Sequence, residues 1–273
     1  MLFAVRNLRA SRVNLLMNDF AAGLPSPLSF LGLADALARD LGLAAWSARV
    51  LPVLHRVSVT EGRTKPEMKI KSGDFVPDET MEDLTGTVEV SILVDLPGWD
   101  SEAGLQVAMI GRRIAGGTLQ DDGCVVEALA RDGSAFRKMR RGYAMVRPEL
   151  PERLQITTGD EDQLAEMASI LFPAKRPRGF GWIVPVSVGY RLLERPDEAP
   201  KRIRTRCGTV PHVFAEPVLG IAELISVRSS RLLELTEETL HAILWRWEVR
   251  GDHILGHAAY HPESNKKEDC YHV

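Results

Sequence analysis

Alternating apolar and polar residues predict strands in the first half of the chain. Strict alternation places successive side chains on opposite faces of a strand. It is clearest in the segment TVEVSILVDL, where every second residue from Val88 to Val94 lies on the core face. In the segment VLHRVSVT, the same rule places Val53, His55, Val57 and Val59 on one face and Arg56 on the other. The predicted strands are residues 2–9, 53–60, 87–96 and 117–120.

Two amphipathic helices are predicted between these strands. Ser26 is a good N-cap and Pro27 suits the first helical position, so the segment GLPSPLSF begins a helix over 27–41. A second helix is expected over about 101–114, capped by Ser101 and ended by Gly116 and Gly117. The resulting order β-α-β-β-α-β is typical of a ferredoxin-like or RRM-like α+β unit, with an antiparallel sheet and both helices on one face.

The chain divides into two portions with a projecting segment in the first. Residues 61–84 separate two predicted strands and are far longer than a hairpin loop of about 2–5 residues, so they are expected to project from the sheet. After a linker around 151–159, helices over 159–172 and 235–247 and a strand over 181–190 are expected. We therefore predict a domain over 1–150 and a smaller α+β portion over 151–273.

Composition describes an ordinary soluble protein without a membrane span. The 273 residues are 45% hydrophobic and carry a net charge of -3, which argues against indiscriminate coating of nucleic acid. No run of about 18 apolar residues exists, and the N-terminus does not fit a signal peptide. Three cysteines without a CxxC pair favour a reducing cytoplasm over a disulfide framework.

Positive charge is concentrated in a few clusters, although the protein is mildly acidic overall. Each cluster taken alone is equally well explained as a solvated face. Together they favour a localised phosphate-binding track, because Lys and Arg neutralise phosphates only where the nucleic-acid backbone runs. Arginine also stacks on unpaired bases, which suits single-stranded RNA. The clusters are Arg63, Lys65, Lys69 and Lys71; Arg112 and Arg113; Arg137, Lys138, Arg140 and Arg141; and Lys201, Arg202, Arg204 and Arg206.

Gly116 and Gly117 allow two interpretations. One is a helix end, which accounts for one of the two glycines. The other is a backbone that a nucleic-acid strand can approach closely, as glycine-rich loops allow for phosphates. The pair is not a P-loop, because no GK[ST] follows it.

Histidines give no clear metal or catalytic site. His253, His257 and His261 have a helical spacing, but nearby glycines and a proline disfavour a helix, so no metal or other cofactor is predicted. His55 lies among valines and is expected to be a buried, hydrogen-bonded histidine rather than a general base. No catalytic set can be assembled from the sequence.

Several segments together resemble one known family. They are GLPSPLSFLGLADAL, LHRVSVTEGRTK, GTVEVSILVDL, RRIAGGTL, RRGYAMVRPEL, GWIVPVSVGY and GTVPHVFAEPVLGIAELISV. In this order they resemble the Cas-five-type member of the RAMP superfamily, the subunit that binds the crRNA 5′ handle in type I-F CRISPR surveillance (Csy) complexes. The middle portion, 120–178, is shorter than in the usual member and the tail beyond 251 matches poorly, which indicates a compact or variant type I-F system.

The resemblance implies a non-catalytic role in an RNA-guided complex. The implied fold is a ferredoxin-like domain with a thumb hairpin at about 61–86. The implied partners are the crRNA 5′ handle, a large subunit, a repeated backbone subunit and target DNA. The residues assigned to RNA binding are Pro25, Ser26, Arg63, Lys65, Lys69, Lys71, Arg112, Arg113, Gly116, Gly117, Arg137, Lys138, Arg140 and Arg141.

Two other functions remain open at this stage. One is a metal-independent endoribonuclease of the RAMP type, with His55 as general base and Tyr143 as an activating group. The other is a protein–protein scaffold that binds no nucleic acid. The first would cut repeat RNA in EDTA, and the second would purify without RNA.

Overall fold

A computed structural model describes residues 1–17, 22–60, 64–82, 84–120, 123–148, 165, 168–174, 181–200 and 212–258, without the side chains of 64–67 and 77–82. Alternating hydrophobic segments form its strands, as predicted. The elements are β1 (Leu2–Asn14), α1 (Pro27–Asp40), β2 (Arg49–Val59), β3 (Thr64–Lys71), β4 (Asp74–Glu82), β5 (Thr85–Asp95), α2 (Glu102–Ala108), β6 (Arg113–Ile114), β7 (Gly117–Leu119), β8 (Val125–Leu129), a 3-10 turn (Gly133–Phe136), β9 (Tyr143–Val146), β10 (Trp182–Leu192), β11 (Ala215–Ser226), α3 (Ser230–Leu233), α4 (Glu237–Ile243), β12 (Arg246–Arg250) and β13 (His253–His257).

One antiparallel sheet organises the molecule. Its strand order is β12-β13-β10-β11-β9-β2-β5-β1-β7-β6, and β8 pairs with the first part of β1. Because β9 pairs with both β2 and β11, strands that precede and follow residue 150 in the sequence belong to one sheet. This sheet joins the two predicted portions. The sheet, with its helices, is an α+β architecture.

The core lies between the sheet and the first helix. Val88, Val90, Ile92 and Val94 are completely buried, which confirms the face predicted for β5. Helix α1 buries nine of its fourteen residues and begins at Pro27, as predicted. Membrane spans are absent from the part of the chain that the structure describes, since none of its helices is long and apolar enough to cross a bilayer.

Ser26 explains the rigid entry into α1. Its hydroxyl oxygen accepts a hydrogen bond from the Leu28 backbone N–H at 3.1 Å and caps the helix. The same hydroxyl donates to the Ser187 carbonyl on β10 at 2.6 Å. Pro25 beside it is buried. The PSP turn therefore attaches the first helix to a strand more than 150 residues away in sequence.

Two predicted helices end earlier than expected. Helix α2 ends at Ala108, so the glycine pair does not terminate it. Ala115 and Gly116 instead form the two-residue turn between β6 and β7, and both have the positive φ that a type I′ hairpin requires. Helix α4 is capped by Thr236 as predicted but ends at Ile243, because residues 246–250 pair with β13 as a strand. In the predicted helix over 159–172, the described positions 165 and 168–171 are helical.

The alternation predicted for β2 is interrupted by a bulge. Leu54 lies opposite Val90 and Arg56 lies opposite Glu89, so His55 is an extra residue in the ladder. Leu54 therefore faces α1, whereas Val53 faces the other side, opposite Ser91. The prediction that Val53, His55, Val57 and Val59 share one face was wrong, since one inserted residue reverses every later side chain.

Residues 64–82 form a β-hairpin that is separate from the main sheet. Strands β3 and β4 pair only with each other in the described part of the chain, around a turn at Ser72 and Gly73. Met68, Ile70 and Phe75 are exposed on this hairpin, the last to 68%. This segment was expected to project from the sheet between β2 and β5.

Candidate nucleic-acid interface

Two β-bulges collect arginines on the side of the sheet away from α1. In a regular strand, residues three apart face opposite sides. Asn7, with φ +60°, is inserted into β1, so Val5 and Leu8 both lie opposite core residues of β5. Arg9 then lies opposite Glu89 on the side of the sheet away from α1, which we call the outer side. Arg6 lies opposite Val125 of β8.

The bulge in β2 adds a third arginine at the same level. Arg56 lies opposite Glu89 from the other side of β5, so Arg9 and Arg56 flank this one carboxylate. Both arginines are exposed. Neither was assigned to the site from the sequence, because strict alternation does not place these residues together.

The loop 137–141 brings the predicted RKMRR cluster over this side of the sheet. Phe136 and Met139 are buried beneath it, whereas Arg137, Lys138 and Arg140 are exposed. We call the set Arg6, Arg9, Arg56, Arg137, Lys138 and Arg140 the basic face.

Backbone contacts hold this loop in place. The Arg228 guanidinium donates to the carbonyls of Phe136 at 3.3 Å, Arg137 at 2.9 Å and Met139 at 2.7 Å. On the other side, His55 Nδ1 lies 2.9 Å from the Arg141 carbonyl. The loop is therefore fixed through its backbone while its charged side chains remain outside.

Two carboxylates partly neutralise the basic face. Glu89 accepts from Arg140 at 2.5 Å, and Glu127 pairs with Arg6 and Lys138 at 2.5 Å each. The Arg140 hydrogen bond, with the charges of Arg9 and Arg56, lowers the pKa of Glu89 below its usual value. Six cations against two carboxylates leave an excess of four positive charges, which suits a polyanion.

Two adjoining clefts open between these side chains. One has a volume of about 310 Å³ and is bordered by Arg9, His55, Glu89 and Arg140. The other, of about 380 Å³, is bordered by Arg6, Arg137, Lys138, Arg140 and Arg228. Asn7 and Arg140 line both clefts, so the two clefts are neighbours on the basic face.

His55 uses both of its ring nitrogens within the protein. Because a carbonyl can only accept, Nδ1 donates to Arg141, and Nε2 accepts from the Ser91 hydroxyl at 2.7 Å. Burial lowers the pKa of His55. The hydrogen bonding predicted for this histidine is confirmed, but its side chain is half-buried rather than fully buried.

The structure separates Arg112 from Arg113. Arg112 forms an ion pair with Asp40 at the end of α1, and its Nε donates to the Ala108 carbonyl at 2.6 Å, so it lies on the helix side of the sheet. Arg113 is exposed and lies opposite Thr118, which in turn lies opposite Ser11 of β1. Arg113 is therefore on the same side of the sheet as Arg9. Only Arg113 of this pair can extend the basic face toward the sheet edge.

Gly117 is explained by packing within the protein. A Cβ at this position would lie 2.7 Å from the Ser11 carbonyl oxygen and 2.8 Å from the Val13 backbone nitrogen. Gly116 is exposed, and a Cβ there would meet nothing within 4 Å. The close approach at Gly117 is thus made by strand β1.

The remaining predicted RNA-binding residues lie elsewhere. Lys69 and Lys71 are exposed on the β3–β4 hairpin. Arg63, the side chain of Lys65 and the whole 201–206 cluster lie outside the described residues. Pro25 is buried, and the Ser26 hydroxyl is engaged by Leu28 and Ser187.

His253 and His257 lie on strand β13 rather than on a helix. His253 Nδ1 lies 2.6 Å from Asp252, and His257 Nδ1 lies 3.1 Å from Glu248. Within the described residues no group of three or more metal-ligating side chains comes together. His261 lies outside them.

Comparison with known proteins gives one family match. Residues 153–255 match the model of the family described as CRISPR-associated protein (Cas_Csy2). No curated protein matches the chain. The matched segment spans 103 of the 273 residues and contains Arg228, which holds the basic loop, while the basic face itself precedes the segment. This match supports a CRISPR-associated protein of the Csy type, as found in type I-F surveillance complexes.

Proposed function

We propose that this protein is a non-catalytic crRNA-binding subunit of a type I-F CRISPR surveillance complex, which caps the 5′ handle and supports binding of target DNA. The observation that carries the proposal is the basic face. It places six cations on the outer side of the central strands of a protein whose net charge is -3. Such local concentration favours a defined path for one nucleic-acid strand.

The fold supports a ferredoxin-like RAMP assignment. The neighbours β2-β5-β1-β7 correspond to the strand order 2-3-1-4 of the predicted β-α-β-β-α-β unit. The β3–β4 hairpin leaves this sheet between β2 and β5, at the position of the thumb in the proposed family. Its exposed Lys69, Lys71 and Phe75 suit contacts to phosphates and to an unpaired base.

Binding to a single strand follows from the chemistry of the basic face. Arginine binds phosphate oxygens through its fork of N–H groups and also stacks on bases that are not paired. The 310 Å³ cleft beside Glu89 lies in the middle of this face and is large enough to accept a base of the RNA. We therefore expect the phosphates to lie along the arginines and a base to lie in the 310 Å³ cleft.

A catalytic role is not proposed. A general base of the endoribonuclease type needs an available ring nitrogen near the scissile phosphate. In His55 the two nitrogens are engaged by Ser91 and Arg141. The absence of discrete cleavage of repeat RNA by the purified protein in EDTA is the expected result, and a single defined cut would favour the enzyme.

Partner subunits of the proposed complex are a large subunit and a repeated backbone subunit, in a cytoplasmic assembly. This part of the proposal rests on the sequence resemblance and on the Csy-type family match. Copurification with the products of neighbouring genes, followed by sequencing of any bound RNA, tests both the partners and the handle.

RNA binding is tested directly with two arginines of the basic face. Fluorescence anisotropy measures binding of a labelled single-stranded RNA over a range of salt concentrations. The double variant Arg9→Ala/Arg137→Ala should bind more weakly, and the slope of log affinity against log salt should fall by about 1.4, since each phosphate contact on a single strand contributes about 0.7.

A matched control removes the same charge elsewhere. Arg39 on α1 and Arg195 are 62% and 70% exposed, and Arg39 lies on the helix side of the sheet. Arg39→Ala/Arg195→Ala should leave the affinity and the salt slope unchanged. Equal loss in both double variants would show nonspecific attraction and refute the proposed interface.

A further inference from the structure

A carboxylate at the centre of a cationic cleft is unexpected for a surface that only binds phosphates. Glu89 lies between Arg9 and Arg56 in the ladder and accepts from Arg140, and it borders the 310 Å³ cleft. The pKa of Glu89 is lowered, so its charge is present at neutral pH and repels phosphate from this point. The side chain is still 23% exposed and can be reached from the cleft.

We propose that Glu89 reads the edge of an unpaired guanine in the cleft that it borders. The inference rests on the proposed RNA-binding function and specifies which base the cleft beside Glu89 prefers. Single-stranded RNA is recognised mainly through bases that are turned out of the stack and bound by their Watson–Crick edges.

Guanine fits this carboxylate for a chemical reason. A carboxylate only accepts hydrogen bonds, through two oxygens with about four lone-pair sites. Guanine presents two adjacent donors on its Watson–Crick edge, N1–H and the N2 amino group. Cytosine, adenine and uracil each present a single donor there beside acceptor atoms, which the carboxylate repels.

The pair with Arg140 leaves room for this contact. Arg140 Nη2 uses one lone pair of Glu89 Oε2, so both carboxylate oxygens can still accept. The same arginine, with Arg9, borders the cleft and can stack on the face of the base. The cleft lies at the lower end of the size range of small-ligand pockets, about 300–1,000 Å³, which suits one base.

The test compares oligomers that share one backbone. Anisotropy titrations use a labelled decamer of uridine and versions with one central guanosine, inosine or adenosine. The wild-type protein should prefer guanosine over inosine, which lacks the N2 amino group, and over adenosine by about fivefold or more, the lower end for a bidentate base contact. Glu89→Gln should lose this preference while still binding the uridine decamer.

A second carboxylate of the same region is the control. Glu127 pairs with Arg6 and Lys138 but does not border the 310 Å³ cleft. Glu127→Gln removes the same charge and should change the affinity for all four oligomers alike, with the guanosine preference kept. Circular dichroism of both variants verifies that they are folded.

The outcomes separate this inference from the proposed function. If the oligomers bind through Arg9 and Arg137 but without a guanosine preference, the base-reading role is wrong and the RNA-binding role stands. The inference is equally overturned if Glu89→Gln raises all affinities together and keeps the preference, since Glu89 is then only a counter-charge. If none of the oligomers binds the wild-type protein, both proposals fail.

Discussion

Arg228 is expected to control the order of the basic loop through its contacts to three backbone carbonyls. It is an exposed residue, yet its guanidinium donates to Phe136, Arg137 and Met139 at 2.7–3.3 Å. Removing it by Arg228→Ala leaves these carbonyls without their charged donor. The loop then loses the contacts that fix its backbone over the sheet.

The size of the effect follows from the partial exposure of these bonds. A buried hydrogen bond to a charged group contributes about 1.5–3 kcal/mol. The bonds to Phe136 and Met139 are partly buried and the bond to Arg137 is exposed, so water can replace part of this contribution. We therefore expect Arg228→Ala to lower the free energy of unfolding by about 2 kcal/mol in total. Arg228→Lys should recover only part of the loss, because an ammonium group cannot present the planar fork of donors.

Two measurements test this prediction. Urea unfolding followed by circular dichroism gives the free energy of unfolding, and hydrogen exchange gives the local protection of residues 133–146. Arg191→Ala is the matched control, since Arg191 is 53% exposed and its ion pairs with Glu216 and Asp252 should contribute about 1 kcal/mol or less. Unchanged stability together with unchanged protection in Arg228→Ala would refute the anchoring role.

Two further predictions concern packing and pH. Gly117→Ala should destabilise the protein by about 1–3 kcal/mol, because its Cβ meets the backbone of Ser11 and Val13. Gly116→Ala should cost only about 1 kcal/mol, because its positive φ is the sole source of strain. Equal midpoints of thermal unfolding in the two variants would contradict this difference. Burial lowers the pKa of His257 to about 4, so the folded state binds fewer protons than the unfolded state and stability should fall as the pH drops from about 6.5 toward 4. Urea unfolding at pH 7 and pH 5 should show that the free energy of unfolding falls less in His257→Gln than in the wild type. An equal fall in both proteins would exclude His257 as a source of the pH dependence.

Local elements were largely predictable from the sequence. The cap at Ser26, the start of α1 and the buried face of β5 depend on neighbouring residues along the chain. Helix ends were less predictable. The helix predicted over 235–247 included residues 246 and 247, but residues 246–250 pair with β13 as a strand, and that pairing depends on residues beyond the predicted helix.

The candidate site was predicted only in part. The RKMRR segment was found as a charge cluster, and the structure places three of its cations in the basic face. Arg6, Arg9 and Arg56 were missed as a group because the bulge at Asn7 brings Arg6 and Arg9 to the same side of β1, and the bulge at His55 places Arg56 opposite Glu89. A positive φ at a non-glycine residue such as Asn7 leaves little trace in a single sequence.

The sequence by itself determined where the strands and the main helix begin, which face of each central segment is apolar, and that positive charge is clustered in an acidic chain. These properties follow from periodicity, capping and composition, all of which are local. Only the tertiary structure decided that the arginines of two strands and one loop meet around Glu89, and that Arg112 turns away to Asp40. Strand register and long-range backbone contacts such as those of Arg228 set these positions, and both depend on residues that are distant in sequence.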